Sequence, residues 1–295
     1  MSFKSKVQAV KDIFQMKFIK NKSPFMVMSI TETIQEIISN KLSVSRYGDD
    51  EVLMMANQMH KSFQTYNKKI ARKLENIIAN PLENHISCIP DIFGDLTKYN
   101  DQAVEWFDYF LSRKKYLYYK YFNENVKYGN SYITRCYMDL KDKQPCERYF
   151  NLLKQIWQDR DIVFIEGEFS RLGYGNDLFD NATSIKRILA PAKNAYKVYD
   201  KIIEEAKKLD KNCLILIALG ATATCLAYDL AKLGFQAVDC GHVDVEYEWM
   251  RMGATKKVPI PSKYVNEAGD EGHKEENLYD NEYLSQIIVK LGTKY

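Results

Sequence analysis

The stretch from Asn212 to Trp249, NCLILIALGATATCLAYDLAKLGFQAVDCGHVDVEYEW, most limits what this chain can fold into. Cys213 to Leu219 is an unbroken apolar run with no polar face, which suits a strand covered on both sides, as in a parallel sheet. Gly220 ends it. Ala221 to Leu233 then carries Leu226, Leu230 and Leu233 on one stripe and stops at Gly234, which predicts a helix. Phe235 to Cys240 reads as a second strand, followed by Gly241 and His242. This is a strand–helix–strand unit long enough for a right-handed parallel crossover. Ligands of open α/β sheets sit beyond the carboxyl ends of the strands. Gly220, Thr222 and His242 are therefore expected at a binding edge.

Other segments fit the same architecture. Ser29 and Glu32 form a capping-box signature for a helix to about Asn40. Leu42 to Tyr47 predicts a short strand, and Gly48 a turn into a helix from about Asp50. Helices are expected over 67–80, 103–122, 147–158 and 195–209. Strands are expected over 85–89, 131–135, 161–165 and 187–190, with an edge strand at 258–260. Residues 266–277 read as a mobile polar loop, and a closing helix from about Asn281 carries Leu284, Ile287, Ile288 and Leu291. The expected fold is a Rossmann-like, mostly parallel sheet flanked by helices. It forms one domain over 29–295, preceded by an amphipathic appendage over 1–28.

That appendage places Phe3, Val7, Val10, Phe14 and Phe18 at helical spacing, with Lys4, Lys6, Lys11 and Lys17 between them. Such a helix either docks on its own domain or lies in a membrane interface. No apolar run approaches a membrane span, and the first residues lack a signal-peptide pattern, so a cytoplasmic setting is expected, with peripheral contact at the inner face of a membrane as the extension. The formal charge of +3 is too small to argue for nucleic acid. None of the six cysteines forms a CxxC pair; Cys213 and Cys240, in expected buried strands, read as reduced core residues, and the even count leaves disulfides open in a chain that is neither small nor disulfide-dense. Within the helix expected over 103–122, Trp106, Phe107, Tyr109 and Phe110 read as core and Tyr116, Tyr118, Tyr119 and Tyr121 as an exposed rim.

Several polar groups fall at strand ends. Asp49–Asp50–Glu51 follows Arg46 and Gly48. Carboxylates in a first turn cap the helix; two of them separated by one residue on a glycine-assisted turn also suit a hard divalent cation. The segment EGEFSRLGYGNDLFD, with Arg171 and Asn176, reads as a ligand loop, and Lys193 sits where a cation can meet a phosphate. Asp244 and Glu248 share a helix face, and either is a candidate base. Three enzyme classes compete. An NAD-dependent oxidoreductase is favoured by Asp239, near the spacing of a ribose-binding acid, but Thr222 and Cys225 stand where the glycine fingerprint needs glycine. A methyltransferase or other nucleotide-binding enzyme leaves the acidic turn idle. A metal-dependent sugar-nucleotide transferase uses it. A non-enzymatic binding module is the fourth reading, disfavoured by so many polar strand-end loops.

The blocks RYGDDE (46–51), IEGEFSRLGYGNDLFDNA (165–182), RILAPAKNAY (187–196), LIALGATATCLAYDL (216–230) and GHVDVEYEWMRMGA (241–254) resemble the GT-D-type bacterial glycosyltransferases of serine-rich-repeat adhesin and surface-polysaccharide glycosylation. The resemblance spans about residues 30–267. It implies a Rossmann-like fold distinct from the GT-A and GT-B types, and transfer of a hexose, typically glucose from UDP-glucose, with a divalent metal such as Mn2+ or Mg2+; the acceptor, a protein-linked glycan, a lipid-linked oligosaccharide or a capsule precursor, is left open. The family's Asp-x-Glu motif falls on Asp49 and Glu51, with Asp50 where the family usually has glycine, and Ala221 stands where a proline often follows the central glycine. On this reading Asp49 and Glu51 hold the metal, Arg46, Arg171 and Lys193 add positive charge, and Glu248, Asp244 or Glu267 is the base. A homo-oligomer is left open.

Overall fold

The computed structural model describes residues 3–19, 22–59, 64–261, 263, 265 and 281–292. In chain order the elements are α1 (Phe3–Phe18), β1 (Met26–Val27), α2 (Ile30–Asn40), β2 (Ser43–Arg46), α3 (Asp49–Met55), α4 (Lys68–Ala79), β3 (His85–Ile89), α5 (Asp101–Tyr121) and β4 (Lys127–Asn130). They continue as α6 (Cys146–Trp157), β5 (Asp161–Gly167), β6 (Ser184–Ala190), α7 (Tyr199–Ala206), β7 (Leu214–Ala218), α8 (Ala221–Lys232), β8 (Gln236–Asp239), α9 (Val243–Arg251), α10 (Asn281–Gln286) and β9 (Ile287–Lys290).

Among the described residues the strands form one nine-stranded sheet, in the order β1-β4-β3-β2-β8-β7-β5-β6-β9, and every pairing is parallel. Right-handed crossovers then sort the helices by direction of travel. The connections β2→β3, β3→β4, β6→β7 and β7→β8 run one way across the sheet, so α4, α5, α7 and α8 share a face. The connections β1→β2 and β4→β5 run the other way and bring α2 against α6, with α9 beside α6. The apolar 214–217 run is fully buried between these layers, as its lack of a polar face requires. Two-sided packing also explains why all six cysteines are buried and free.

The chain leaves β2 towards β3 and leaves β8 in the opposite direction, although β2 and β8 are neighbours joined at Val44 and Val238. Their carboxyl ends therefore open a crevice at a topological switch point, with α3 and α9 starting on either side.

Three expectations are corrected. The strand expected at 131–135 lies earlier, at 127–130; Ser131–Thr134 is a 3-10 turn because the Asn130 side chain accepts the Tyr132 N–H at 2.9 Å and starts it. Residues 258–260 form no strand: Pro259 and Pro261 lack N–H donors, and the Val258 carbonyl accepts the Trp249 indole N–H at 2.9 Å instead. The closing helix stops at Gln286. The β-branched run Ile287–Ile288–Val289 pairs with β6 as an edge strand, alternating partly buried and exposed side chains. The polar stretch 266–277 and Glu267 lie outside the described residues. The appendage is tied to the domain, with α1 packed on α5 and Met26–Val27 paired with β4.

Candidate active site

The crevice is built around a charge pair that joins its two strands. Arg46 closes β2 and Asp239 closes β8. The Arg46 Nη2 donates to Asp239 Oδ1 at 2.8 Å and its Nε to the Asp239 carbonyl at 2.9 Å. Thr224, in the first turn of α8, donates its hydroxyl to the Arg46 carbonyl at 3.0 Å and tethers the same corner. Gly241 makes the pair fit. It sits at φ +43°, and a Cβ there would meet Arg46 Nη2 at 1.8 Å. Only glycine lets the chain turn from β8 into α9 beside the guanidinium.

A cleft of about 430 Å³ opens beyond this pair, within the usual range of small-ligand sites. One wall is the start of α3: Gly48, Asp49, Asp50 and Glu51. Glu51 reaches back so that its Oε2 accepts the Gly48 N–H at 2.7 Å, the reciprocal half of a capping box. Burial pushes its carboxyl up to about 8, helped by the neighbouring charges of Asp50, Asp239 and Asp49, while the Gly48 N–H pulls the other way. Arg46, Arg135, His242 and Lys257 line the same cleft. Arg135 lies 3.2 Å from the His242 ring nitrogens, and Lys257 pairs with Asp139 at 3.4 Å. The floor is Gly220 and Ala221 at the start of α8. An apolar side is made by Trp106, Phe107, Phe110 and Tyr132, with Trp106 half exposed and stacked on Tyr109 at 5.8 Å.

The sequence-derived residues thus divide. Arg46, Gly48, Asp49, Glu51, Gly220 and His242 line one cleft. Thr222 is fully buried behind it, its hydroxyl 3.4 Å from Gln64. Asp244 and Glu248 form a separate buried cluster. Asn176 Nδ2 donates to Asp244 Oδ1 and to Glu248 Oε1, both at 2.7 Å, and Lys263 bonds to Asp244 and lies 3.8 Å from Glu248. These two acids pin α9 to the 168–182 loop and are outside the lining of the cleft. Arg171, at φ +49°, lies with Tyr174 and Tyr283 towards β6, and Lys193 is exposed past the end of β6.

The loop itself is anchored by a buried pair. Arg187 Nη1 donates to Glu166 Oε1 at 2.6 Å, and both groups meet Leu172, through its N–H to Glu166 at 2.8 Å and its carbonyl from Arg187 at 2.9 Å. Glu246, between the two candidate bases in sequence, faces elsewhere: its Oε2 accepts the N–H groups of Tyr137 and Met138 at 3.0 and 2.7 Å, and so holds the turn that carries Arg135 and Asp139.

A family model described as "Glycosyltransferase GT-D fold" matches residues 44–268. The chain belongs to the family of GT-D-fold glycosyltransferases. Among solved structures, a glycosyltransferase of the domain-of-unknown-function-1792 type from Streptococcus sanguinis superposes on this GT-D chain with a TM-score of 0.82 at 36% identity, covering 90% of this chain and 99% of that one. A structure described as showing that this domain has a distinct glycosyltransferase fold gives a TM-score of 0.85 at 40% identity, covering 94% and 100%. Among curated relatives, a probable glycosyl transferase Gly of Streptococcus gordonii is 37% identical over 269 residues, and glycosyltransferase GlyD of Streptococcus pneumoniae is 36% identical over 270. Each match covers 90% of this chain but 39% and 32% of the relative, so the GT-D chain spans about a third of their length.

Sequence reasoning missed Arg135, Asp139, Lys257 and Trp106. Arg135 falls inside the strand expected at 131–135 and Asp139 just after it, Lys257 immediately precedes the edge strand expected at 258–260, and Trp106 reads as core by sequence. For Trp106 the signal was available: on α5, Trp106, Tyr109 and Arg113 fall on one stripe, away from Ala103, Phe107 and Phe110. Conversely Tyr116 and Tyr118, expected at a rim, are buried.

Proposed function

We propose that this GT-D chain transfers a hexosyl group, glucose in the first instance, from a UDP-sugar to a hydroxyl of a glycan acceptor, with a divalent cation at Asp49 and Glu51. The observation that carries the reading is that the acidic start of α3 and the cationic Arg46, Arg135 and Lys257 line one cleft at the switch point. A sugar diphosphate needs both: cations for its phosphates, and carboxylates for the metal that accompanies them.

The donor set suits such a metal. Carboxylate oxygens favour Mg2+ or Mn2+, and Glu51, raised first by burial and then by the charges of Asp50, Asp239 and Asp49, is a carboxyl whose charged form a cation would favour. Among the described residues no group of three or more His, Cys, Asp or Glu side chains is arranged to hold an ion. Two protein carboxylates would then be completed by diphosphate and water, the usual arrangement for Mg2+. Bound there, the cation would supply Lewis-acid stabilisation of the departing diphosphate. The chain's own part is to bind and orient. Arg46, held by Asp239, and Arg135 compensate phosphate charge. Trp106 offers a flat face to an acceptor sugar ring. The acceptor oxygen forms a bond to the anomeric carbon as the bond to the diphosphate breaks and UDP leaves, and the hydroxyl proton passes to a carboxylate lining the cleft. Asp139, beside Lys257, and Asp50 line the cleft and are the candidates for that role, whereas Asp244 and Glu248 lie outside its lining. One displacement of this kind inverts the anomeric centre. The oxidoreductase alternative loses its main support, because Asp239 is occupied by Arg46.

Thermal unfolding with UDP, UDP-glucose, NAD and S-adenosylmethionine, each with Mn2+ and with a chelator, tests the reading. A ligand that binds only the folded state raises the midpoint. A rise with UDP-glucose that needs metal and is lost in Asp49→Asn is expected. A rise with NAD or S-adenosylmethionine and none with UDP compounds would overturn it.

A further inference from the structure

Helix α1 is docked the wrong way round for an ordinary surface helix. At 100° per residue, Gln8, Asp12, Met16 and Ile19 form one stripe, and Val7, Val10, Phe14 and Phe18 the opposite one. A globular domain normally receives the apolar stripe. Here it receives the other. Asp12 is only 6% exposed; its Oδ1 accepts from the Tyr116 hydroxyl at 2.7 Å and from Gln8 at 2.8 Å, and its Oδ2 pairs with Lys114 at 2.6 Å. This polar anchor fixes the rotation of α1 on α5, since turning the helix over would strand a buried carboxylate and a buried ammonium. The apolar stripe is left facing outward: Phe14 is 57% exposed and Val10 and Phe18 are each 68% exposed, with Ile13 beside them. Phe14 and Phe18 touch each other edge to face at 5.0 Å, so the stripe is continuous.

The charges around the stripe choose its occupant. Lys11 and Lys17 are exposed on its two flanks, and the acid described on the helix, Asp12, is turned inward and neutralised by Lys114. The outward face is therefore apolar at its centre and cationic at its margins. That pattern matches an anionic lipid surface, where apolar side chains enter the acyl boundary and lysines meet headgroups. It matches a second copy poorly, because two such faces would bring four lysines together with no carboxylate to meet them. We propose that α1 is a membrane-surface anchor that seats this chain on an anionic bilayer without crossing it. No described helix is long and apolar enough to span a membrane, which is consistent with lying in the interface.

The test is flotation of the full chain with phosphatidylcholine vesicles, with and without phosphatidylglycerol. Binding is expected only to the anionic vesicles. Phe14→Asp should weaken it by about tenfold or more, and Lys11→Glu and Lys17→Glu by about fivefold each at low salt. Met252→Asp removes a half-exposed apolar residue elsewhere and should leave vesicle binding unchanged. The midpoint rise with UDP and metal should persist in all four variants, which separates failure of this proposal from failure of the transferase reading. Recovery of wild-type protein away from anionic vesicles, or vesicle binding indifferent to Phe14→Asp, would overturn the proposal. So would a concentration-dependent dimer that Phe14→Asp dissolves while no vesicle binding is seen, since the occupant would then be a second copy.

Discussion

Gly241→Ala is the substitution on which the geometry of the site bears most directly. A methyl group at this position costs twice. First, φ +43° lies in the left-handed region, where a side chain costs about 1–2 kcal/mol. Second, the added Cβ would fall 1.8 Å from Arg46 Nη2, so the guanidinium must leave Asp239. Breaking a buried pair by displacing one partner costs on the order of 3–5 kcal/mol. Arg46 retains 14% side-chain exposure against 4% for Asp239, which places the loss towards the lower end, about 3 kcal/mol. The total expected is about 4–5 kcal/mol. Denaturant unfolding of wild type, Gly241→Ala, Arg46→Ala and the double variant measures it as a cycle. With Arg46 already truncated, the methyl group has nothing to displace, and Gly241→Ala should cost only the about 1–2 kcal/mol of backbone strain. The coupling should therefore be about 3 kcal/mol. Strictly additive costs would refute the argument that Gly241 is there to admit Arg46.

Arg187→Met leaves the fully buried Glu166 without its partner and should lower Tm by on the order of 10 °C; adding Glu166→Gln should restore part of that loss in the same scan. Burial raises the Glu246 carboxyl to about 7, against an opposing pull from Arg135. A carboxyl whose folded pKa is raised favours folding below its ordinary value, and the benefit is lost as pH climbs through the raised one. Wild-type stability should accordingly decline by about 3 kcal/mol between roughly pH 4.5 and 7 on this group's account, and Glu246→Gln should flatten that decline in pH-dependent denaturant titrations. Trp106→Ala removes a half-exposed side chain, so unfolding should shift by less than about 1 kcal/mol, while KM for the glycan acceptor rises on the order of tenfold; an unchanged KM would remove Trp106 from the binding surface.

The elements legible in the chain are those set by local and periodic signals. The apolar run 213–219, the capping pair Ser29 and Glu32, and the glycines closing each segment specify elements through backbone geometry and short-range contacts, and the structure contains those elements. The placing of Arg46, Gly48, Asp49, Glu51, Gly220 and His242 at one edge followed from the rule that parallel strands present their carboxyl ends together, and these residues do line one cleft. Tertiary structure decided which charges meet. Asp239 joins Arg46 across 193 residues, Glu246 reaches back 109 residues to the turn bearing Arg135, and Asn176 ties down Asp244 and Glu248 from 68 and 72 residues away. Sequence spacing carries no record of such partners, so two acids that shared a helix face looked available when packing had already engaged them. The rotation of α1 was hidden for the same reason. Its amphipathic pattern is plain in the sequence, but which stripe faces the domain depends on Lys114 and Tyr116, about a hundred residues on, offering Asp12 a buried site that outweighs the pull of the apolar face.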